Sequence, residues 1–264
     1  MNMEELNRRG SPDRFGHQWA NYSNIFPESK GQLERWLGST GLDSSRGKSI
    51  LDVGCGMGRN PFWMLKAGAA QVTAVDLDDR SLAAAEANLK EFPQGRVVKG
   101  SAYEVDTLDI GQFDRVTCIG VLHHLENPSR ALQSMWRCVK PGGELILWCY
   151  GREGNEFILP FILLAQAIGS RLPVKVTQAL AKVVSLCTWP IFRLLPFSTP
   201  YYQRLRTLSF ANFELIVLDQ MLPKISHYWR AQDLRDLTAP LDGQLHLEFV
   251  QGNSWHVRIT KPES

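Results

Sequence analysis

The stretch Leu51-Asp52-Val53-Gly54-Cys55-Gly56-Met57-Gly58-Arg59 decides the fold. A short apolar run enters a turn carrying three glycines and leaves toward a helical segment. Glycine lets the backbone turn tightly and approach a ligand with no Cβ in the way. The helix N-terminus beyond it offers free N–H groups and a positive dipole end. A nicotinamide-type fingerprint would need G-x-G-x-x-G. Counted from Gly54 the sixth position is Arg59, and counted from Gly56 it is Pro61, so neither fits. The pattern present is D-x-G-x-G-x-G. Its acid, Asp52, would repel a pyrophosphate but attract the ammonium and sulfonium of an amino-acid-like cofactor.

Around this loop, strand-like runs at 49–53, 71–76, 96–99, 113–119 and 144–150 alternate with helical stretches at 61–67, 80–92 and 129–139. Apolar strands separated by helices predict a parallel, doubly wound α/β sheet covered on both faces. Pro141-Gly142-Gly143 reads as a turn feeding the fifth strand. The second strand ends at Asp76, where such a sheet places a carboxylate at the ligand crevice, able to hold both hydroxyls of a ribose. Leu245, Leu247 and Phe249, then Trp255, Val257 and Ile259, alternate around Gly252-Asn253-Ser254 and predict an antiparallel hairpin. Residues 28–37 read as a helix, and 230–237 as another. Four regions result: an N-terminal cap over 1–47, a cofactor-binding core over 48–151, a helical insert over 152–229, and a final helix and hairpin over 230–264.

The set D-V-G-C-G-M-G, A-V-D-L, F-D-R-V, V-L-H-H-L-E-N-P and R-C-V-K-P-G-G-E-L-I-L resembles a class I S-adenosylmethionine-dependent methyltransferase. The nearest group holds quinone-biosynthesis and small-molecule enzymes, and the resemblance covers about 48–150 and 244–261. It implies a mostly parallel seven-stranded sheet with an antiparallel last strand. S-adenosyl-L-methionine is the implied cofactor, and no metal is implied. On the matching residues, Gly54, Cys55, Gly56 and Gly58 would shape the floor under the methionyl portion, and Asp52 would answer its ammonium. Asp76 would take the ribose hydroxyls, and Leu77 would pack on the adenine. Ser101 and Ala102 would lie at the adenine edge, with Ile119 and Gly120 on the sulfonium side. Many relatives carry Asp where Ser101 stands; a hydroxyl can also accept a hydrogen bond. Trp19 and Tyr22 resemble an aromatic cap folded over the cofactor.

Methyl transfer from a sulfonium needs an aligned nucleophile, excluded water and sometimes a base. His123 and His124 follow the fourth strand at the mouth of the crevice, and His227 begins the cluster His227-Tyr228-Trp229. These are the candidate bases, each with a scaffold role as the competing reading. The fourth strand lacks the N/D-P-P-Y/F sequence used on planar nitrogens, and no Pro-Cys pair offers a thiolate nucleophile. A cofactor-using enzyme of another reaction, or a cofactor-binding scaffold without turnover, is the rival.

Over 264 residues the formal charge is +2, too balanced for a nucleic-acid specialist. Six of the 29 basic residues and none of the 27 acidic ones fall within 157–213, which leaves +6 there and −4 elsewhere. The same segment is apolar, with Lys175, Gln178, Lys182 and Ser185 as one polar stripe along a helix. Three roles compete for it: a lid or homodimer interface, a roof over a hydrophobic, lipid-like acceptor with cations for an anionic headgroup, and contact with an anionic membrane. Five scattered cysteines and no apolar leader at the N-terminus point to a cytoplasmic protein, membrane-associated under the last of these roles.

Overall fold

The computed structural model describes residues 2–9, 11–196 and 198–263; Phe197, in the apolar insert, lies outside them. Strands β1 (Ser49–Val53), β2 (Gln71–Asp76), β3 (Gly95–Lys99), β4 (Phe113–Ile119) and β5 (Val139–Tyr150) run parallel. With β6 (Gln244–Val250) and β7 (Ser254–Thr260) they form one seven-stranded sheet, ordered β3-β2-β1-β4-β5-β7-β6. Only β7 runs against the direction of the other six strands. The doubly wound, mostly parallel sheet expected from the sequence is what forms.

Alternation along the strands feeds two cores. Leu51, Val53, Leu145 and Leu147 face one side, packed against α6 (Pro128–Arg137) and α11 (Ala231–Thr238). Ile50, Val72, Ala74 and Ile146 face the other, under α3 (Glu28–Leu37), α4 (Arg59–Lys66) and α5 (Asp79–Leu89). Helix starts follow local chemistry. The Asp78 carboxylate caps α5 by accepting from Arg80 and Ser81 N–H, and Asn127 caps α6 by accepting from Arg130 N–H, with Pro128 next in line. Arg115, fully buried on β4, donates to Glu144 on β5 and to Ser44 and Ser45.

One local expectation is corrected. Pro141-Gly142-Gly143 is not a separate turn before the strand but lies within β5, where the pairing register with β4 shifts between Phe113 and Arg115. Gly142 takes the left-handed φ of 71° that this bulge needs.

The strand order reverses between β1 and β4, which opens a crevice at their C-terminal ends. Two helices, α1 (Met3–Arg9) and α2 (Pro12–Asn21), close over it from the N-terminus. The insert after β5 folds into α7 (Leu159–Gly169), α8 (Val174–Leu194), α9 (Pro200–Leu205) and α10 (Phe210–Met221), with two small cores of its own. Arg14 of α2 fastens cap to insert, donating to Gly169 O, Leu172 O and Thr177 Oγ1.

Candidate active site

Gly54, Gly56 and Gly58 all adopt positive φ (76°, 54° and 81°). A Cβ on Gly54 would meet the Val121 side chain at 2.4 Å, and one on Gly56 the Trp19 indole at 3.0 Å. The loop therefore cannot take L side chains at these positions without strain. It is pinned from β2: the Asp76 carboxylate accepts from Gly56 N–H at 2.8 Å, Leu77 N–H at 2.8 Å and Asp78 N–H at 3.1 Å. Burial raises the Asp76 pKa, with these bonds acting against it.

Asp52 is buried on β1. Its Oδ1 accepts from Thr117 Oγ1 at 2.6 Å, whereas Oδ2 has no partner. Burial, opposed by the Thr117 bond and helped by Asp76, pushes its pKa up to about 7. Asp52 does not itself line the cavity at the crevice, but a buried carboxylate oxygen without a partner, two residues from the bare-backbone loop that does, suits a ligand cation. The sign of its pH dependence follows. A bound ammonium favours the carboxylate, so below about pH 7 binding must first expel a proton. Cofactor affinity should then weaken roughly tenfold per pH unit on going down from 7, and level off above it. Calorimetry with S-adenosylhomocysteine in buffers of different ionisation enthalpy would show this proton release. A dissociation constant unchanged between acidic and neutral pH would remove Asp52 from the role.

One cavity of about 810 Å³ runs from this loop into the insert. Gly54, Cys55, Gly56, Asp76, Leu77 and Ser101 line its first part, joined by Ala102, Ile119 and Gly120. Gly58 is outside the lining and backs onto Ala85 of α5. Ser101 Oγ donates to Asn7 Oδ1 at 2.7 Å and accepts from Tyr103 N–H, so α1 is anchored at this edge. Trp19 lines the cavity above Gly56, but Tyr22, at the end of α2, is exposed and stands outside it. Of the two aromatics expected as a cap, only Trp19 lines the cavity, and Phe15 joins it there.

The three histidines separate in the same way. His124 lines the cavity, and its Nδ1 lies 2.9 Å from Ile225 O. A carbonyl only accepts, so Nδ1 carries the proton and Nε2 presents a lone pair. His123 is not a candidate base: it is wholly buried, stacked on Tyr150 at 3.8 Å, and neither ring nitrogen has a partner. Burial drives its pKa well down. His227 also misses the cavity, because Nε2 donates to Leu125 O and the ring stacks on Trp229.

Of the His227-Tyr228-Trp229 cluster only Tyr228 lines the cavity, and several other polar groups in its wall were not singled out from the sequence. Tyr150, at the C-terminal end of β5, accepts from Gln220 Nε2, and Tyr228 donates to Gln220 Oε1 at 2.8 Å. Asp219 accepts from Gln18 Nε2 at 2.7 Å, and Arg59 sits against the Trp19 and Trp36 rings. Burial raises the Asp219 pKa, opposed by the Gln18 bond and the Arg59 charge. The signal was there in part. Glu214 and Asp219 end the acid-free run, both on the otherwise apolar α10, and a charge in such a helix marks something it must face. Beyond them the wall is mostly apolar: Ile162, Val184, Phe192, Leu208 and Phe213 come from all four insert helices or their ends, with Thr188, Tyr201 and Arg204 as polar groups among them.

Fold and loop together define a class I methyltransferase domain. Residues 51–147 match the family described as "Methyltransferase domain". Over 120 residues the chain is 38% identical to a ubiquinone biosynthesis O-methyltransferase of Dechloromonas aromatica (strain RCB), a match covering 45% of this chain and 51% of that protein. It is 34% identical over 118 residues to a tRNA U34 carboxymethyltransferase of Idiomarina loihiensis, covering 44% of this chain and 36% of the other. The matches thus span about half or less of these relatives, within which the core is shared. Among solved structures, an O-methyltransferase family protein from Burkholderia thailandensis superposes with a TM-score of 0.57 at 12% identity, over 96% of this chain and 60% of that one. At that identity it speaks for the fold alone. S-adenosyl-L-methionine is the cofactor of this domain class, and the strained glycines, the unpartnered Asp52 oxygen and the crevice-lining Asp76 fit it.

Proposed function

We propose that the protein transfers a methyl group from S-adenosyl-L-methionine to an oxygen of a small apolar acceptor. One observation carries the reading: a single cavity joins the glycine loop to a mostly apolar chamber in the insert, and His124, held through Nδ1 by Ile225 O, stands in its wall. The cofactor supplies the activated carbon when bound. What this chain adds is alignment, a dry enclosure and a site for the departing proton. Tyr150 accepts from Gln220, so its own hydroxyl proton is available to orient an acceptor oxygen. The chamber's walls favour a hydrocarbon body over a polyanion, which argues against a nucleic acid. The O-methyltransferase relatives add support for oxygen over nitrogen or carbon.

The carboxymethyltransferase relative keeps a second transferred group in view, since its match lies in the shared core. Incubation with deuterated-methyl S-adenosylmethionine and a panel of long-chain phenols and hydroxyquinones separates the two. The expected product carries all three deuterons in one methyl group bonded to the acceptor oxygen. Binding of S-adenosylhomocysteine without any labelled product across the panel would instead support a cofactor-binding scaffold.

A further inference from the structure

Helix α8 packs on the protein with its least apolar face. The residues turned inward and fully buried are Thr177, Ala181 and Ser185, spaced by four. Ser185 spends its hydroxyl on Ala181 O, so the polar stripe expected along this helix does not form as one exposed line. At about 100° per residue the opposite arc carries Val176, Val183, Leu186 and Leu194, all exposed, Leu194 at 82%. Helix α7 does the same: Gln166 and Gly169 are buried, whereas Phe161, Leu164 and Ile168 face outward. Phe161 is 72% exposed, and Phe157 in the preceding turn is 95% exposed. Single exposed apolar residues are ordinary, but two adjacent helices turned this way are not.

Charge lies beside this face. Lys175, Lys182 and Arg193 are exposed and share the arc of α8 next to the apolar one, about 100° from Val176. No acid offsets them anywhere in 157–213. Phe161, Ile191 and Leu195 are both exposed on this face and part of the cavity wall, so the chamber opens here.

We propose that the α7–α8 face seats the protein on an anionic membrane, and that the acceptor enters the cavity from the apolar side of that contact. The entry route rests on the methyl-transfer reading; the membrane contact does not. A second copy is the poorer occupant, because an isologous interface sets a patch against itself and would oppose like cations. An anionic headgroup layer complements them, with the apolar residues reaching the acyl boundary. Among the described residues no helix is long and apolar enough to cross a membrane, so the contact lies in the plane of the surface.

Flotation of the full chain with vesicles tests this. The protein should float with phosphatidylcholine vesicles containing phosphatidylglycerol at low salt, and be released at high salt. Lys175→Gln with Lys182→Gln should weaken partitioning by about thirtyfold. Leu164→Asp with Leu194→Asp should abolish it. All four side chains lie outside the cavity wall, so both variants should keep the wild-type thermal shift with S-adenosylhomocysteine, which also shows that they fold. Lack of flotation with the anionic vesicles at low salt would overturn the contact, as would equal binding to pure phosphatidylcholine. So would light scattering that shows a dimer broken by the leucine variant. If the protein floats but labels only acceptors free in solution, the contact stands and the entry route fails.

Discussion

Replacing Asp76 by alanine is expected to weaken S-adenosylhomocysteine binding more than a hundredfold. Two effects act together. The carboxylate lines the crevice at the end of β2, where it can accept from both hydroxyls of a ribose. Hydrogen bonds to a charged group are worth about 1.5–3 kcal/mol each, so losing two exceeds a hundredfold in affinity. The same carboxylate also accepts from Gly56 N–H, and its removal unpins the loop under the methionyl portion. Asp76→Asn separates the contributions. The amide oxygen can still accept from Gly56 or from Leu77, so the melting temperature should stay near wild type, but one acceptor and the charge are gone. Calorimetry should then rank wild type, asparagine and alanine in that order. An alanine variant binding within threefold of wild type would refute the ribose role.

How much of this was legible in the sequence depends on whether the information is local. The strands β1, β2 and β4 are short, apolar and bounded by turn chemistry, so their limits could be read residue by residue. The glycine loop was legible because positive φ has a residue signature, and Asp76 because strand ends in a doubly wound sheet share one crevice. The bulge at Gly142 was misread because Pro-Gly-Gly signals a break but not whether the ladder resumes across it. Among the histidines, His123 and His124 are neighbours with identical sequence signals. Only the Ile225 carbonyl, a hundred residues on, fixes the tautomer that faces the cavity. Asp219 and Gln220 reach the site through α10, whose placement depends on packing against α7 and α8 and follows no spacing rule.

The insert also carried a pattern that composition could state but not orient. Its apolar content and +6 charge were visible, yet an apolar helix ordinarily turns its oily face inward. Here the inward face of α8 is Thr177, Ala181 and Ser185, small enough for close approach of α10. Close packing at small side chains leaves the bulky ones outside. The same choice supplies both the chamber wall, through Val184 and Thr188, and the exposed face, through Leu186 and Leu194. Acceptor chamber and surface patch are therefore two sides of one helix, and changes to one must be checked against the other.

Replacing His124 by alanine is expected to lower kcat by about 10²- to 10⁴-fold toward a weakly acidic hydroxyl, the usual range for a positioned base. The ring lines the cavity and is held through Nδ1 by Ile225 O, which leaves Nε2 as the basic nitrogen, and burial pushes its pKa down to about 4, with the Ile225 bond opposing and His227 adding to the shift. Because the folded-state pKa lies below that of a free imidazole, the neutral base persists on acidification. The rate should show no limb near pH 6.5 and should lose the base only as pH falls toward 4. A base of that pKa takes a proton best while the oxygen–methyl bond forms, when the hydroxyl has become acidic. An acceptor already ionised at the assay pH needs no base. The loss in His124→Ala should therefore shrink as acceptor acidity rises, while affinity for S-adenosylhomocysteine stays within about threefold, a split that a merely structural role would not produce. His124→Gln keeps the bulk and the acceptor capacity but cannot take a proton, and should be as slow as alanine. Equal losses for ionised and neutral acceptors, or a glutamine variant near wild-type rate, would assign the residue to positioning and leave proton removal to solvent.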